Sequence, residues 1–180
     1  MSILQYRYTD TELTQILDSM IIITDSREKK NDHILNYLQK KGIKTKVRKL
    51  DYGDYSFLVP ANPELGIMRD LSFATTISIE RKASLEELSR NLAQDRARFE
   101  AELIRAKGKD CKFFLMIEDS NYSDIVNHKY KTDYKPKSYV ASIITLSLRY
   151  NFNINFITKQ CAGNYIYHTF YYYLRNYLKH

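Results

Sequence analysis

Residues 77–82 are the stretch from which the fold can be inferred, and they read Ile77-Ser78-Ile79-Glu80-Arg81-Lys82. Alternate residues of a strand face the same side of a sheet, so the two isoleucines share one face with Arg81, and Ser78, Glu80 and Lys82 share the other. The isoleucines predict burial, and a carboxylate beside an ammonium on a central strand is costly unless both have partners. A divalent cation and a phosphate would be suitable partners.

Short apolar runs and amphipathic stretches around this segment predict alternating strands and helices. Ser84 and Glu87 have the spacing of a capping box, and they begin one long helix whose apolar stripe reaches Ile104. The other predicted elements are strands at residues 20–24, 44–50, 56–59, 75–82, 113–117 and 154–158, and helices between Asn31 and Gly42 and at residues 139–148 and 164–178. This order predicts one α/β domain with a mixed central sheet flanked by helices.

Composition restricts the classes of protein that fit. The chain has 180 residues, enough for one domain, and 28 Lys and Arg against 21 Asp and Glu give a net charge of +7. The positive excess favours a polyanionic partner, although a merely basic protein fits it equally well. The cysteines and histidines show no zinc-binding spacing. No apolar run approaches the ~18–20 residues of a membrane span, so we expect no membrane partner.

Asp54 is the second carboxylate of interest. The pattern of residues 44–59 predicts two strands that meet near Gly53 and Asp54, and a following strand at residues 75–82 can bring Asp54 beside Glu80. Two converging carboxylates suit Mg²⁺, which prefers hard oxygen ligands, and Lys82 could offset charge on a phosphate. The alternatives are an exposed ion pair between Glu80 and Lys82 and an ordinary Gly-Asp turn; each motif alone is weak, and their combination is more specific.

The residues Gly53-Asp54-Tyr55 followed by Ile79-Glu80-Arg81-Lys82 resemble the GDY…(V/I)ERKxxxD signature of the XPF nuclease domain. That domain belongs to the restriction-endonuclease-like PD-(D/E)xK superfamily. The resemblance covers residues 20–178, including Asp25-Ser26-Arg27-Glu28 after the first predicted strand. It implies a restriction-endonuclease-like core, with residues 1–19 as a lead-in and residues 20–180 as a nuclease domain without a helix-hairpin-helix domain.

The resemblance also implies roles for individual residues. Asp54 and Glu80 would be catalytic ligands of Mg²⁺ or Mn²⁺, and Lys82 would be the catalytic lysine. The signature ends in Asp, where this chain has Glu86, whose carboxylate reaches one methylene further. The implied supporting residues are Asp25, Arg27, Glu28, Arg81 and Glu86. On the predicted long helix, Arg96 or Arg98 would contact DNA, whereas the basic residues from Arg105 onward are expected to form a solvated face.

The resemblance thus implies a metal-dependent endonuclease that hydrolyses branched or flapped DNA in repair or recombination and leaves a 5′-phosphate. A non-catalytic DNA-binding partner of an active nuclease is the alternative, and an RNA-processing enzyme is a weaker third reading. We expect the protein in the cytoplasm with its DNA: the host cytoplasm for a phage protein, the nucleus for a eukaryotic one.

Tyrosines crowd residues 165–177, and one helical face there combines Phe170, Tyr173, Leu174 and Tyr177. These rings could stack on unpaired bases, but packing in a core or an interface is the simpler interpretation. The resemblance implies a homodimer formed through the C-terminal helices.

Overall fold

The computed structural model describes residues 8–179, and in this part of the chain one sheet has helices on both faces. The strands in chain order are β1 (Ile21–Thr24), β2 (Lys44–Val47), β3 (Tyr55–Val59), β4 (Leu71–Ser72), β5 (Ile77–Lys82), β6 (Lys112–Glu118) and β7 (Asn153–Ile157). Their spatial order is β2-β1-β3-β5-β6-β7, with β4 paired to β3. The pairs that involve β3 are antiparallel and the others are parallel. The mixed sheet predicted from the sequence is therefore confirmed.

The helices in chain order are α1 (Asp10–Asp18), α2 (Asp32–Lys40), α3 (Leu85–Ala93), α4 (Arg96–Gly108), α5 (Tyr122–Val126), α6 (Pro136–Tyr150) and α7 (Ala162–Lys179). Helices α1, α2 and α7 share one hydrophobic core with one face of the sheet. Helices α3 to α6 share a second core with the opposite face. The predicted α/β class with flanking helices is also confirmed, although α5 and β4 were not predicted.

Strand β5 lies between β3 and β6, and all six of its residues are buried. Ile77 and Ile79 pack in the core beneath α1, α2 and α7. On the opposite face, Lys82 approaches the ring of Phe99 in α4. The alternation predicted for residues 77–82 therefore holds, and its polar face is turned toward α3 and α4.

The predicted meeting of two strands near Gly53 is wrong, because β1 lies between β2 and β3. Residues 48–54 instead cross over the C-terminal end of β1. The crossover is held by hydrogen bonds from Arg48 N to Thr24 O (3.0 Å) and from Leu50 N to the Asp25 carboxylate (2.6 Å). An alternating pattern identifies a strand but not its neighbour, which explains the error.

The predicted long helix after Ser84 is also wrong, because the chain turns at Gln94 and Asp95 between α3 and α4. A straight helix over both segments would be about 36 Å long, whereas a six-residue strand spans only about 20 Å. The turn lets Leu88 and Leu92 of α3 and Phe99 of α4 join the same core. The N-terminus of α3 is as predicted, since the Ser84 side chain accepts a hydrogen bond from Glu87 N.

Helix α1 lies within the predicted lead-in, and Leu13, Ile16 and Leu17 bury its apolar face in the core beside α7. Residues 1–7 of that lead-in lie outside the described residues. In α7, Phe170 and Leu174 are fully buried, which confirms the packing interpretation for this part of the tyrosine-rich face. Within residues 8–179, none of the helices has the length and hydropathy of a membrane span.

Candidate active site

A cleft of about 200 Å³ opens at the C-terminal end of β5, between the sheet and helices α3 and α4. It contains the three residues predicted to be catalytic, Asp54, Glu80 and Lys82. The residues that line it are Arg27, Asp54, Glu80, Lys82, Asn91, Arg98, Phe99, Glu102 and Arg105. The cleft thus has carboxylates and a lysine on its floor and arginines at its mouth.

Asp54 is fixed by backbone hydrogen bonds on three sides. Its N–H donates to Ile79 O (2.9 Å), and its carbonyl accepts from Asp25 N (2.7 Å) at the end of β1. The N–H of Arg81 donates to Asp54 Oδ2 (2.8 Å). Because β3 and β5 are antiparallel with Tyr55 opposite Ile79, these bonds hold the Asp54 side chain next to the end of β5.

Gly53 allows this close approach. Its φ of +70° lies in the left-handed region, and a Cβ at this position would come within 2.0 Å of Ser78 Oγ. Ser78 Oγ itself donates to Tyr52 O (3.1 Å), so the serine cannot turn away without losing a buried hydrogen bond. A glycine is therefore required immediately before Asp54.

Glu80 and Lys82 form a buried ion pair on the polar face of β5. Lys82 Nζ donates to Glu80 Oε1 (2.5 Å), and it lies 5.4 Å from the centre of the Phe99 ring. Burial lowers the pKa of Lys82, but the attraction of Glu80 and Asp54 is stronger and leaves that pKa raised. Lys82 therefore stays charged, and it can stabilise an anion rather than accept a proton.

On the floor of the cleft, the carboxylates of Asp54 and Glu80 outnumber the single ammonium group of Lys82. Burial raises the pKa of Asp54 well above its ordinary value, the negative charge of Glu80 raises it further, and Lys82 offsets only part of the effect. This donor set fits a hard divalent cation, which would relieve the repulsion between the two carboxylates. Among the described residues, no group of three His, Cys, Asp or Glu side chains could hold an ion by itself.

Two cleft residues were not predicted from the sequence, Asn91 of α3 and Glu102 of α4. Glu102 Oε1 accepts a hydrogen bond from Gly53 N (2.7 Å), and burial together with Glu80 raises the pKa of Glu102 to about 7. Asn91 is buried, and its Oδ1 has no hydrogen-bond partner among residues 8–179. The sequence carried a signal, because each residue lies three positions after an apolar residue of the helical stripe, Leu88 or Phe99.

Among the predicted supporting residues, only Arg27 lines the cleft. Its guanidinium donates to the Asp25 carboxylate (2.7 Å) and to Leu50 O (3.1 Å). Burial raises the pKa of Asp25, but hydrogen bonds from Arg27 and Leu50 outweigh this effect and lower it. Asp25 and Arg27 thereby brace the crossover that leads to Asp54.

Arg81 lies on the opposite face of β5 from Glu80. Its guanidinium donates two hydrogen bonds to Glu118 (2.7 and 2.8 Å) and a third to Glu28 (2.9 Å). Glu118 also contacts His33 Nε2 at 2.7 Å. Arg81 and Glu28 therefore belong to an ion network behind the strand, and only the backbone N–H of Arg81 reaches Asp54.

Four further residues with predicted roles differ in their placement. Glu86 does not line the cleft, and its Oε1 accepts a hydrogen bond from Lys131 N (3.0 Å). Arg96 contacts Ser142 (3.2 Å) and Glu100 (3.6 Å), whereas Arg98 lines the cleft. Arg105, expected on a solvated face, is exposed but also lines the cleft, with its guanidinium bonded to Asp51 O.

Comparisons with known proteins identify the family and the fold of the chain. A family model for the ERCC4 domain matches residues 24–169. The structure titled XPF from Aeropyrum pernix has a TM-score of 0.62 at 18% identity, covering 86% of this chain and 65% of that one. The structure titled XPF from Aeropyrum pernix, complex with DNA, has a TM-score of 0.58 at 18% identity, and the match covers 87% of this chain and 64% of that one. The chain thus spans slightly less than two thirds of these structures, and no curated protein sequence matches it.

Proposed function

Because the chain belongs to the ERCC4-domain family, we propose that it is a metal-dependent endonuclease that hydrolyses phosphodiester bonds in DNA. The observation that carries the proposal is the placement of Asp54, Glu80 and Lys82 in one cleft. An exposed surface ion pair, the simplest alternative for Glu80 and Lys82, does not fit two side chains that are 8% and 7% exposed.

The roles follow from the chemistry of these side chains. Asp54 and Glu80 would hold Mg²⁺ or Mn²⁺, which supplies a Lewis acid at the phosphodiester when it is bound. Lys82 remains charged and offsets the negative charge that develops on the phosphate oxygens. Backbone contacts from Ile79, Arg81 and Asp25 keep Asp54 in place, so little rearrangement is needed before reaction.

DNA would reach the floor of the cleft past Arg27, Arg98 and Arg105, whose guanidinium groups suit phosphate oxygens. We propose branched or flapped DNA as the substrate, in repair or recombination, and a site of action wherever that DNA is kept. A homodimer through α6 and α7 is part of the same proposal. It is supported by the exposed Leu148 and Tyr172 on these helices.

The proposal can be tested by incubating the purified chain with Mg²⁺ or Mn²⁺ and labelled duplex, single-stranded, flap, fork and four-way-junction DNAs. We expect Asp54→Ala and Glu80→Ala to lower cleavage on the order of 1,000-fold or more, with DNA binding largely retained. Glu100→Ala is the matched control, because Glu100 lies outside the cleft and pairs with Arg149.

Two results would contradict nuclease activity. Cleavage by Asp54→Ala at the wild-type rate would assign the cutting to a contaminant or to another site. A wild-type chain that binds these DNAs but cuts none with either metal would be a non-catalytic DNA-binding partner. The position of Glu86 outside the cleft is the observation that favours this second function.

A further inference from the structure

We propose that Asn91 and Glu102 complete the cation site of the cleft from the helical side, by accepting hydrogen bonds from the water molecules that a divalent cation retains. This inference rests on the proposed function, and it adds two residues that lie outside the strand motifs. They come from α3 and α4, which face the polar side of β5.

Glu102 adds a third carboxylate to the cleft that holds Asp54 and Glu80. Its Oε1 is engaged by the N–H of Gly53, the residue next to Asp54, so the side chain is fixed relative to the site. Three carboxylates then share the floor of the cleft with one lysine, Lys82. Gly53 N–H needs an acceptor, but a neutral amide oxygen would serve as well. The charge of Glu102 is therefore in excess of what local structure requires.

Asn91 provides an independent observation. The residue lines the cleft and is 7% exposed, and its buried Oδ1 has no hydrogen-bond partner among the described residues. An unsatisfied buried acceptor costs about 1–3 kcal/mol, whereas leucine would pack here without that cost. Asn91 follows Leu88 by one helical turn, next to the buried leucines of α3. A donor brought by an occupant of the cleft would satisfy it.

The geometry favours contact through water over direct coordination. No three acidic side chains among residues 8–179 are close enough to hold an ion together. Mg²⁺ is commonly bound by one or two carboxylates and keeps several water molecules, whose hydrogens need acceptors. Groups that orient the immediate ligands of a metal typically change its affinity 10- to 100-fold. Glu102 and Asn91 are acceptors in suitable positions for this role.

The test measures Mn²⁺ affinity by calorimetry, without DNA, for the wild-type chain, Glu102→Gln, Asn91→Leu and the control Glu100→Gln. Glu102→Gln keeps an acceptor for Gly53 N–H and removes only the charge. We expect each cleft variant to bind Mn²⁺ roughly 10-fold more weakly and the control to bind as the wild type. Asn91→Leu should unfold at the same or a higher urea concentration, because it removes an unsatisfied polar group.

Asp54→Ala in the same series separates the two proposals. If Asp54→Ala loses Mn²⁺ affinity while Glu102→Gln and Asn91→Leu bind like the wild type, the helical residues have no part in the site and the nuclease assignment stands. If Asp54→Ala also binds like the wild type, both proposals fail. Unfolding of Asn91→Leu at a lower urea concentration would assign Asn91 a structural role and overturn its part in the inference.

Discussion

Both faces of β5 carry buried charges, but the partners of these charges differ between the two faces. On one face, the Arg81 side chain is 5% exposed, and its guanidinium is satisfied by Glu118 and Glu28. On the other face, Glu80 and Lys82 are 8% and 7% exposed, and their ion pair lies beside two further carboxylates, Asp54 and Glu102. Burial is nearly equal on the two faces, so the difference lies in how completely the charges are compensated.

This difference indicates which charged residues of β5 serve the stability of the fold and which serve its chemistry. A buried charge that has every partner in place is costly to disturb, because removal of one partner leaves the others uncompensated. Carboxylates gathered around a single lysine repel one another and lower stability until a cation arrives. We therefore expect changes on the Arg81 face to alter folding and changes on the Glu80 face to alter activity.

The largest effect on stability is expected from Arg81→Met. The substitution leaves the buried Glu118 and the half-buried Glu28 without the Arg81 cation, and loss of one member of a buried pair typically costs about 3–5 kcal/mol. Urea unfolding measures the change. Arg98→Met is the control, because the Arg98 side chain is 77% exposed and should contribute less than about 1 kcal/mol. Equal stability of the two variants would contradict the proposed division between the faces.

A smaller loss of stability is expected when the pH is lowered. Burial raises the pKa of Glu118, but hydrogen bonds from Arg81 and His33 outweigh it, so that pKa lies below its ordinary value of 4.5. A lowered pKa means that stability is fully present above that ordinary value and is lost as the pH falls through the folded-state value. The free energy of unfolding should therefore fall between about pH 5 and pH 3. Glu118→Gln should show a shallower slope over that interval, and an unchanged slope would contradict the role of Glu118.

Asp54→Asn is expected to raise the stability of the fold rather than lower it. Burial and Glu80 raise the pKa of Asp54, so its ionised form destabilises the fold, and the neutral amide keeps an acceptor for Arg81 N–H. At about pH 8, the free energy of unfolding should rise by roughly 1 kcal/mol while cleavage is lost. A loss of stability in urea unfolding would show that Asp54 serves the fold rather than the chemistry.

The smallest effect is expected at the mouth of the cleft. Arg98→Ala and Arg105→Ala should each weaken DNA binding similarly for all sequences and reduce the slope of log affinity against log salt by about 1. Fluorescence anisotropy at several salt concentrations measures this slope. Arg96→Ala is a matched control, because Arg96 lies on the same helix and faces Ser142. A slope that changes only for Arg96→Ala would place the DNA on another face of α4.

The sequence predicted which side chains meet in the cleft better than it predicted the path of the chain. Asp54, Glu80 and Lys82 line one cleft, as expected from the alternation along β5 and from the resemblance to a known signature. Periodicity could place Glu80 and Lys82 on one face because both lie on the same strand. Asp54 reached the site by an unpredicted path, since β2 and β3 do not pair.

The contributions from the helices could not be predicted because they depend on the turn between α3 and α4. A continuous helix would carry Glu102 away from the end of β5, whereas the turn at Gln94 and Asp95 brings it to Gly53. The same turn separates Arg96, which faces Ser142, from Arg98 at the cleft. No proline or glycine occurs at this turn, so the local sequence does not predict a break in the helix.

The crossover at residues 48–54 sets the position of Asp54 separately from the strand pairings of the sheet. It spans the end of β1, is bonded there to Asp25, and delivers Asp54 to a strand two positions away in the sheet. One inserted residue in this segment would displace the acidic side chain from its neighbour on β5 and leave every strand pairing intact. A single insertion here should thus disrupt the proposed active site while the sheet stays folded, an outcome that circular dichroism and cleavage measurements on such a variant would detect.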